Sequence, residues 1–426
     1  MHKKIKMVKE TTKITYDGNN ILDETRDYNP DQEKKVEPSI KKLYENCINL
    51  NWSLEIDKKI GEGGLGEVWK GHIVGGHDDH EVAIKISKRG KNTLDNLRKE
   101  AHITGQLKHD DICQVLLYEE NEGMGMIIMD YIEGRDLSKI IERHTKLGLR
   151  LPQKFSAFIS WVCCEALKYA HKARVHDENG REVIGVLHRD ISPGNIIINN
   201  HGYPKLLDFG IGILSSDLED PKISTQMAGK LGFMAPEIID PKIIEGEKID
   251  KKIDIYSLGM TMDYLARGKN PLLEYAKKRP DKLETLVKFK EFLKKGISPL
   301  EEECYGLDEE YLKIIKKATK RERKERYHSA SQMKEDLRKY LYEGGYGPDR
   351  DRLKLYLDLI YTAGLQRYLS ALKNGEKDIK IPTDFKNRIE HAKKSMRYLV
   401  RNEKFCLETL KNGSYKTEES GYLEIY

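Results

Sequence analysis

The segment Val186-Leu-His-Arg-Asp-Ile-Ser-Pro-Gly-Asn-Ile-Ile-Ile-Asn199, with the Asp208-Phe-Gly turn nine residues on, decides the reading of this chain. It sets Asp190, Asn195 and Asp208 at fixed spacing, side chains fit for phosphoryl-transfer chemistry. Apolar runs flank them. Ile196–Ile198 and Leu206-Leu207 read as two short buried strands. A polar loop between such strands is a rigid mount for a carboxylate.

Working outward, Ile60-Gly-Glu-Gly-Gly-Leu-Gly-Glu-Val-Trp-Lys70 holds a G-x-G-x-x-G-x-V pattern in Gly61, Gly63, Gly66 and Val68. Dinucleotide-binding folds use the same glycines but follow them with a helix. Here Glu67-Val-Trp-Lys leads through Gly71 to Glu81-Val-Ala-Ile-Lys-Ile-Ser87, so the pattern is strand, glycine turn, strand, strand. A hairpin tip without side chains lets backbone N–H groups approach phosphates. Lys85 stands among Ala83, Ile84 and Ile86, where an ammonium is costly to bury unless paired. Its candidate partner is Glu100, on a helix expected over 92–107 with Leu97, Ala101 and Thr104 on one face. Strands are expected over 112–119 and 126–131, and a helix over 153–172. Asn179-Gly180 signals a type I′ hairpin just ahead of the deciding segment. Further helices are expected at 271–295, 309–320 and 329–342.

In chain order, the glycine pattern, Val82-Ala-Ile-Lys85, the Asp190/Asn195 loop, Asp208-Phe-Gly210, Ala235-Pro-Glu237 and Asp254-Ile-Tyr-Ser-Leu-Gly259 resemble the motifs of the protein kinases. The match lies over about 52–343 and is nearest the bacterial branch of the eukaryotic-type (Hanks-type) serine/threonine kinases. The resemblance implies an α+β, bilobal protein-kinase fold: an antiparallel β N-lobe, a mainly helical C-lobe and a C-terminal helical extension. The domains expected are an N-terminal arm over 1–48, an N-lobe over 49–132, a C-lobe over 133–343 and a helical-hairpin extension with a tail over 344–426.

By the same resemblance, Gly61, Glu62, Gly63, Gly66, Val68, Ala83 and Ile197 surround ATP. Lys85, braced by Glu100, holds the α- and β-phosphates. Met129 is the gatekeeper, and the backbone of Asp130 and Ile132 meets adenine. Asn195 and Asp208 ligate Mg2+, with Mn2+ as a substitute, and Asp190 takes or orients the proton of the attacking hydroxyl. Arg326 is the structural ion-pair partner of Glu237. Arg189 is similar to the arginine that pairs with a phosphorylated activation loop. The phosphosite candidates are Thr225, then Ser224, then Ser215 and Ser216.

Two positions depart from the pattern. Serine/threonine kinases carry a lysine two residues past the catalytic aspartate, where this chain has Ser192. They carry threonine where this chain has Lys230. The expectation is a swap in which Lys230 supplies the missing cation. The rival reading is a pseudokinase or nucleotide-binding scaffold acting through its C-terminal helices. A kinase-like small-molecule phosphotransferase is a third, against which the Ala235-Pro-Glu237 segment speaks.

The 426 residues are too many for one ordinary domain. Lysine and glutamate are interspersed and the net charge is only +5, which reads as a solvated surface, with no nucleic-acid patch. The six cysteines include no C-x-x-C pair, and the amino terminus lacks a signal-peptide core. No apolar run of membrane-spanning length appears. A cytoplasmic, soluble signalling enzyme acting on protein substrates is the expectation. One helix is expected near Ile40–Leu50. Beyond Gly344 come two amphipathic helices, one with Leu353, Leu357, Ile360, Leu365, Tyr368 and Leu372, the other with Phe385, Ile389, Ala392, Met396, Leu399 and Leu410. They read as packing on the kinase lobe or as a homodimer or regulatory-partner surface over 350–410.

Overall fold

The structure, a computed structural model, describes residues 53–62, 66–74, 80–87, 91–121, 124–147, 149–209, 213–214, 231–239, 249–268, 307–343, 345, 347–362, 364–365 and 383. The chain divides into two compact units, Met1–Gln106 with Gln114–Ile132 and Leu107–Cys113 with Glu133–Tyr426.

The first unit is an antiparallel sheet with one helix. Its strands are β1 (Ser53–Glu62), β2 (Gly66–Val74), β3 (His80–Ser87), β4 (Val115–Asn121) and β5 (Met124–Asp130), ordered β1-β2-β3-β5-β4. Alternation along β3 sends Val82, Ile84 and Ile86 into a core with Leu54, Trp69, Met126 and Ile128. Ala83 and Lys85 therefore share the opposite face. Helix α1 (Lys91–Thr104) carries buried Leu97, Glu100 and Ala101. It stops at Gly105, whose N–H still reaches the Ala101 carbonyl, short of the expected Leu107. The next strand starts at Val115 rather than Ile112. Ile112 and Cys113 belong to the other unit, where they bridge to Leu206.

The second unit is mainly helical. In chain order it has β6 (Gly134–Asp136), α2 (Leu137–Leu147), α3 (Gln153–Ala170), β7 (Arg174–His176), β8 (Glu182–Ile184), β9 (Val186–Leu187), β10 (Ile196–Asn199), β11 (Pro204–Leu206), β12 (Ile213–Leu214), α4 (Pro236–Ile239), α5 (Lys252–Arg267), α6 (Glu309–Ala318), α7 (Ala330–Tyr342) and α8 (Arg350–Ile360). Helix α5 is buried on nearly every side and stops at Gly268, whose φ of 69° is the left-handed cap. Helices α6, α7 and α8 begin on side-chain caps from Asp308, Ser329 and Asp349. A hairpin is present as β7–β8, but its turn is not the expected type I′: Gly180 has φ of 76° while Asn179 does not take positive φ, and the Gly180 N–H closes the turn on the Asp177 carbonyl. Three short ladders carry the deciding segment: β10 pairs with β6 and β11, and β9 pairs with β12.

Sequence periodicity carried the first C-terminal helix through Leu372, but α8 stops at Ile360. Its apolar stripe, Leu353, Tyr356, Leu359 and Ile360, is buried within the chain. These residues therefore pack on their own unit, and the partner-surface reading is corrected for them. The expected helices near 40–50, over 271–295 and over 385–410 lie outside the described residues.

Candidate active site

In the first unit, strand register gathers the expected residues. Val68 stands opposite Lys85, and Lys85 opposite Ile127. Ala83 stands opposite Met129, and Gly61 opposite Val68. Cross-strand partners share a face, so Val68, Ala83, Lys85 and Met129 form one surface. Lys85 Nζ lies 2.6 Å from Glu100 Oε1, with side-chain exposures of 9% and 3%. The expected pair is thus formed and shielded. Gly66 has a packing reason besides the glycine pattern: a Cβ there would sit 1.8 Å from the Ile86 carbonyl oxygen. Lys59 forks to Glu62 and Glu67 at 2.6 Å each, tying the two strands that flank the glycine turn. Asp130 donates its N–H to the Gln114 carbonyl at 3.0 Å.

In the second unit the deciding segment is stitched into one body. Asn195 Nδ2 donates to the Asp190 carbonyl at 2.7 Å and to Asp190 Oδ2 at 2.8 Å. Leu207, just ahead of Asp208, is held at both ends. Its N–H donates to the Asn195 carbonyl at 2.8 Å, and its carbonyl accepts from His188 Nε2 at 2.8 Å. That bond sets the tautomer of His188, leaving Nδ1 to accept the Asp190 N–H at 3.2 Å. Burial holds the His188 pKa below the ordinary histidine range, as a neutral ring with both nitrogens satisfied requires.

Arg189 and Asp208 have φ of 63° and 46°, left-handed conformations that non-glycine residues seldom adopt. Each costs on the order of 1–3 kcal/mol, and such strain clusters at functional sites. The restraint opposing it at Arg189 is Asp254. This fully buried carboxylate accepts the His188 N–H at 2.9 Å, the Arg189 N–H at 2.8 Å and His171 Nε2 at 2.8 Å. Burial alone would raise its pKa, but the bond from His171 and the charges and donors around it hold it below the ordinary carboxylate range. Further along, Arg326 meets Glu237 through two bonds of 2.7 and 2.9 Å, both side chains fully buried. Ser192 is buried. Gly63, Lys230, Ser215, Ser216, Ser224 and Thr225 lie outside the described residues.

A model of the protein kinase domain matches residues 54–337, the span that carries all of this geometry. The chain belongs to the protein kinase family. It is similar to a Corynebacterium glutamicum protein named as a probable serine/threonine-protein kinase PknB, 30% identical over 227 residues, 51% of this chain and 32% of that one. A Bifidobacterium longum protein of the same name is 27% identical over 304 residues, 68% of this chain and 40% of that one. The tyrosine-protein kinase MasK of Myxococcus xanthus is 27% identical over 292 residues, 67% of this chain and 42% of that one. The chain spans well under half the length of these relatives.

A kinase domain uses ATP and a divalent cation in general. The residues present fit both. Both bonds to Asp190 use Asn195 Nδ2, so the amide oxygen is not the atom that holds Asp190. With the Asp208 carboxylate that oxygen makes an all-oxygen donor set, suited to a hard cation that completes its shell with phosphate and water. Among the described residues no group of three or more His, Cys, Asp or Glu forms a cation cage. The shielded Lys85 ammonium suits a phosphate.

Sequence reasoning took Asp254 as part of a family motif but missed its role as a buried acceptor. The signal was there: an acid followed by Ile-Tyr-Ser-Leu cannot be buried without donors. His171 was missed for the same reason.

Proposed function

We propose that this chain is a serine/threonine protein kinase that transfers the γ-phosphate of MgATP to protein hydroxyls and autophosphorylates its activation segment. The observation that carries this reading is the Asp190–Asn195 pair, a carboxylate aimed by a buried amide and stitched to the residue before Asp208. The domain division proposed is an N-terminal arm over 1–48, an N-lobe over 49–132, a C-lobe over 133–343 and an extension over 344–426. Free buried thiols at Cys113, Cys163 and Cys164 suit a reducing, cytoplasmic setting.

In this reading Lys85 binds the α- and β-phosphates, and Glu100 keeps its ammonium in place. The family resemblance assigns Val68 and Ala83 of the first unit, and Ile197 of the second, to adenine, and the glycines at 61, 63 and 66 with Glu62 to the phosphates. The N–H of Asp130 is committed to Gln114, so the acceptor role toward adenine falls to its carbonyl, with the Ile132 N–H as donor. Mg2+ supplies neutralisation of the charge building on the transferred group. Asn195 and Asp208 hold it. Asp190 accepts the hydroxyl proton, its carboxylate kept from rotating by Asn195. Lys230 supplies the cation absent at Ser192, and its loss costs about 2–4 kcal/mol of transition-state stabilisation. Arg189 receives the phosphate of Thr225 or Ser224.

Specificity is tested by offering a mixed peptide library with labelled ATP and hydrolysing the product. Phosphoserine and phosphothreonine are expected. Label confined to phosphotyrosine overturns the serine/threonine assignment. Lys230→Met is expected to slow transfer, and an undiminished rate overturns the swap.

A further inference from the structure

Helix α8 lies beyond the residues that match the kinase family, yet it is fastened to both flanks of β10. At its start, Gly202 in the β10–β11 turn has φ of 79°, and a Cβ there would fall 2.0 Å from the Arg350 carbonyl oxygen. The Arg350 guanidinium lies 4.6 Å from the Tyr203 ring centroid. At its end, Arg143 Nε donates to the Ile360 carbonyl at 3.1 Å, satisfying a C-terminal group that the helix leaves open. The next residue, Tyr361, has the Arg135 guanidinium 4.0 Å from its ring centroid and Arg143 at 5.7 Å, and its hydroxyl donates to the Lys139 carbonyl at 3.4 Å. Between the two ends Tyr356 packs 4.9 Å from Phe155 and hydrogen-bonds His144.

The fastening matters because of what β6 is. It has only three residues and forms one edge of the three-stranded sheet. Its register puts Asp136 opposite Ile197 and Arg135 opposite Ile198. An edge strand so short has little ladder of its own to fix it. Arg135 is its middle residue, and Tyr361 is the aromatic face on which that guanidinium rests.

We infer that Tyr361 is a positioning residue for nucleotide binding: its stack on Arg135 fixes β6, and through β6 it fixes Ile197, the residue of this unit assigned to adenine above. The inference rests on the nucleotide reading above. Tyr361 touches neither nucleotide nor reacting atoms, so its effect belongs in nucleotide affinity rather than in the chemical step. Its hydroxyl pKa is pushed up to about 12, mainly by burial, so the ring stays neutral in use.

The test uses the full chain with MgADP as the probe, measured by calorimetry, and hydrogen exchange read peptide by peptide. Tyr361→Ala is expected to raise the Kd for MgADP about 3- to 10-fold, as loss of one cation–π contact implies. Exchange should speed up over 134–136 and 196–199 while α5 and α7 keep their protection. Tyr361→Phe should behave as wild type, because it keeps the stack. If Tyr361→Ala does not fold, Arg135→Gln removes the cation from the same stack and carries the same expectation. An unchanged Kd, or exchange that rises equally throughout the chain, overturns the inference while leaving the nucleotide reading intact. A wild type that binds no nucleotide overturns the nucleotide reading, and the inference with it.

Discussion

Asn195 points both of its amide donors at one residue: Nδ2 lies 2.7 Å from the Asp190 carbonyl oxygen and 2.8 Å from its carboxylate. Asn195→Ala leaves a buried carboxylate without that donor and removes an oxygen from the proposed cation site. A fall in kcat of roughly 10²-fold or more is expected, by analogy with losing a preorganised donor. The apparent Mg2+ requirement should rise. Steady-state kinetics across a Mg2+ titration checks both.

The buried Lys85–Glu100 pair makes a stability prediction independent of catalysis. Glu100→Leu removes this carboxylate from a buried ammonium and should cost about 3–5 kcal/mol in denaturant unfolding. The double variant Lys85→Met/Glu100→Leu removes both charges, and should recover more than half of that loss while binding nucleotide poorly. A double variant as unstable as the single one would mean that the pair is not coupled.

His144 sets a pH dependence. Burial pushes its pKa down to about 4 from an ordinary value of 6.5. Its Nδ1 is 2.7 Å from the Ile140 carbonyl, the place of a donor, so Nε2 accepts from Tyr356 Oη at 2.5 Å. The unfolded chain protonates this ring first. The stabilisation is therefore complete above about pH 6.5 and is lost as pH falls toward 4, a loss of about 3 kcal/mol. His144→Gln keeps an acceptor for Tyr356 but does not titrate, and should flatten the slope in urea unfolding measured across that window.

Arg326 is committed on every side. It meets Glu237 through two bonds and also donates to the Lys320 and Arg321 carbonyls at 2.6 and 2.9 Å. Lysine cannot reproduce that planar fork. Arg326→Lys should lower stability by at least about 2 kcal/mol despite keeping the charge, and Arg326→Ala by about 3–5 kcal/mol. Melting curves of the two variants separate charge from geometry.

Much of the fold was legible because its signals are local. The alternation in Glu81–Ser87 gives a central strand, and the spacing of Phe155, Ile159, Val162 and Ala166 gives α3. The order and spacing of Asp190, Asn195 and Asp208 pointed to the kinase resemblance, and that resemblance implied the Glu237–Arg326 pair and supported the Lys85–Glu100 pair, both of which the structure forms. What escaped notice depends on tertiary partners. Helix α2 was overlooked although Leu137, Ile140, Ile141, His144 and Leu147 hold one buried face, because it follows with no intervening turn on the short polar strand Gly134–Asp136. The end of α8 at Ile360 could not be read from a periodicity that runs on to Leu372. What holds the chain there is Arg135 and Arg143, more than two hundred residues earlier. Asp254 takes its meaning from three donors on two other segments, which spacing does not reveal.

The central claim is that Asp190, Asn195 and Asp208 form a working phosphoryl-transfer site. Its most direct test is transfer of labelled γ-phosphate from ATP to a protein acceptor, comparing purified wild type with Asp208→Asn at matched nucleotide occupancy. The account predicts Mg2+-dependent incorporation by wild type and a loss of roughly 10²-fold or more in the variant. Incorporation that persists undiminished in Asp208→Asn, or a wild type that binds nucleotide yet transfers nothing, would contradict it.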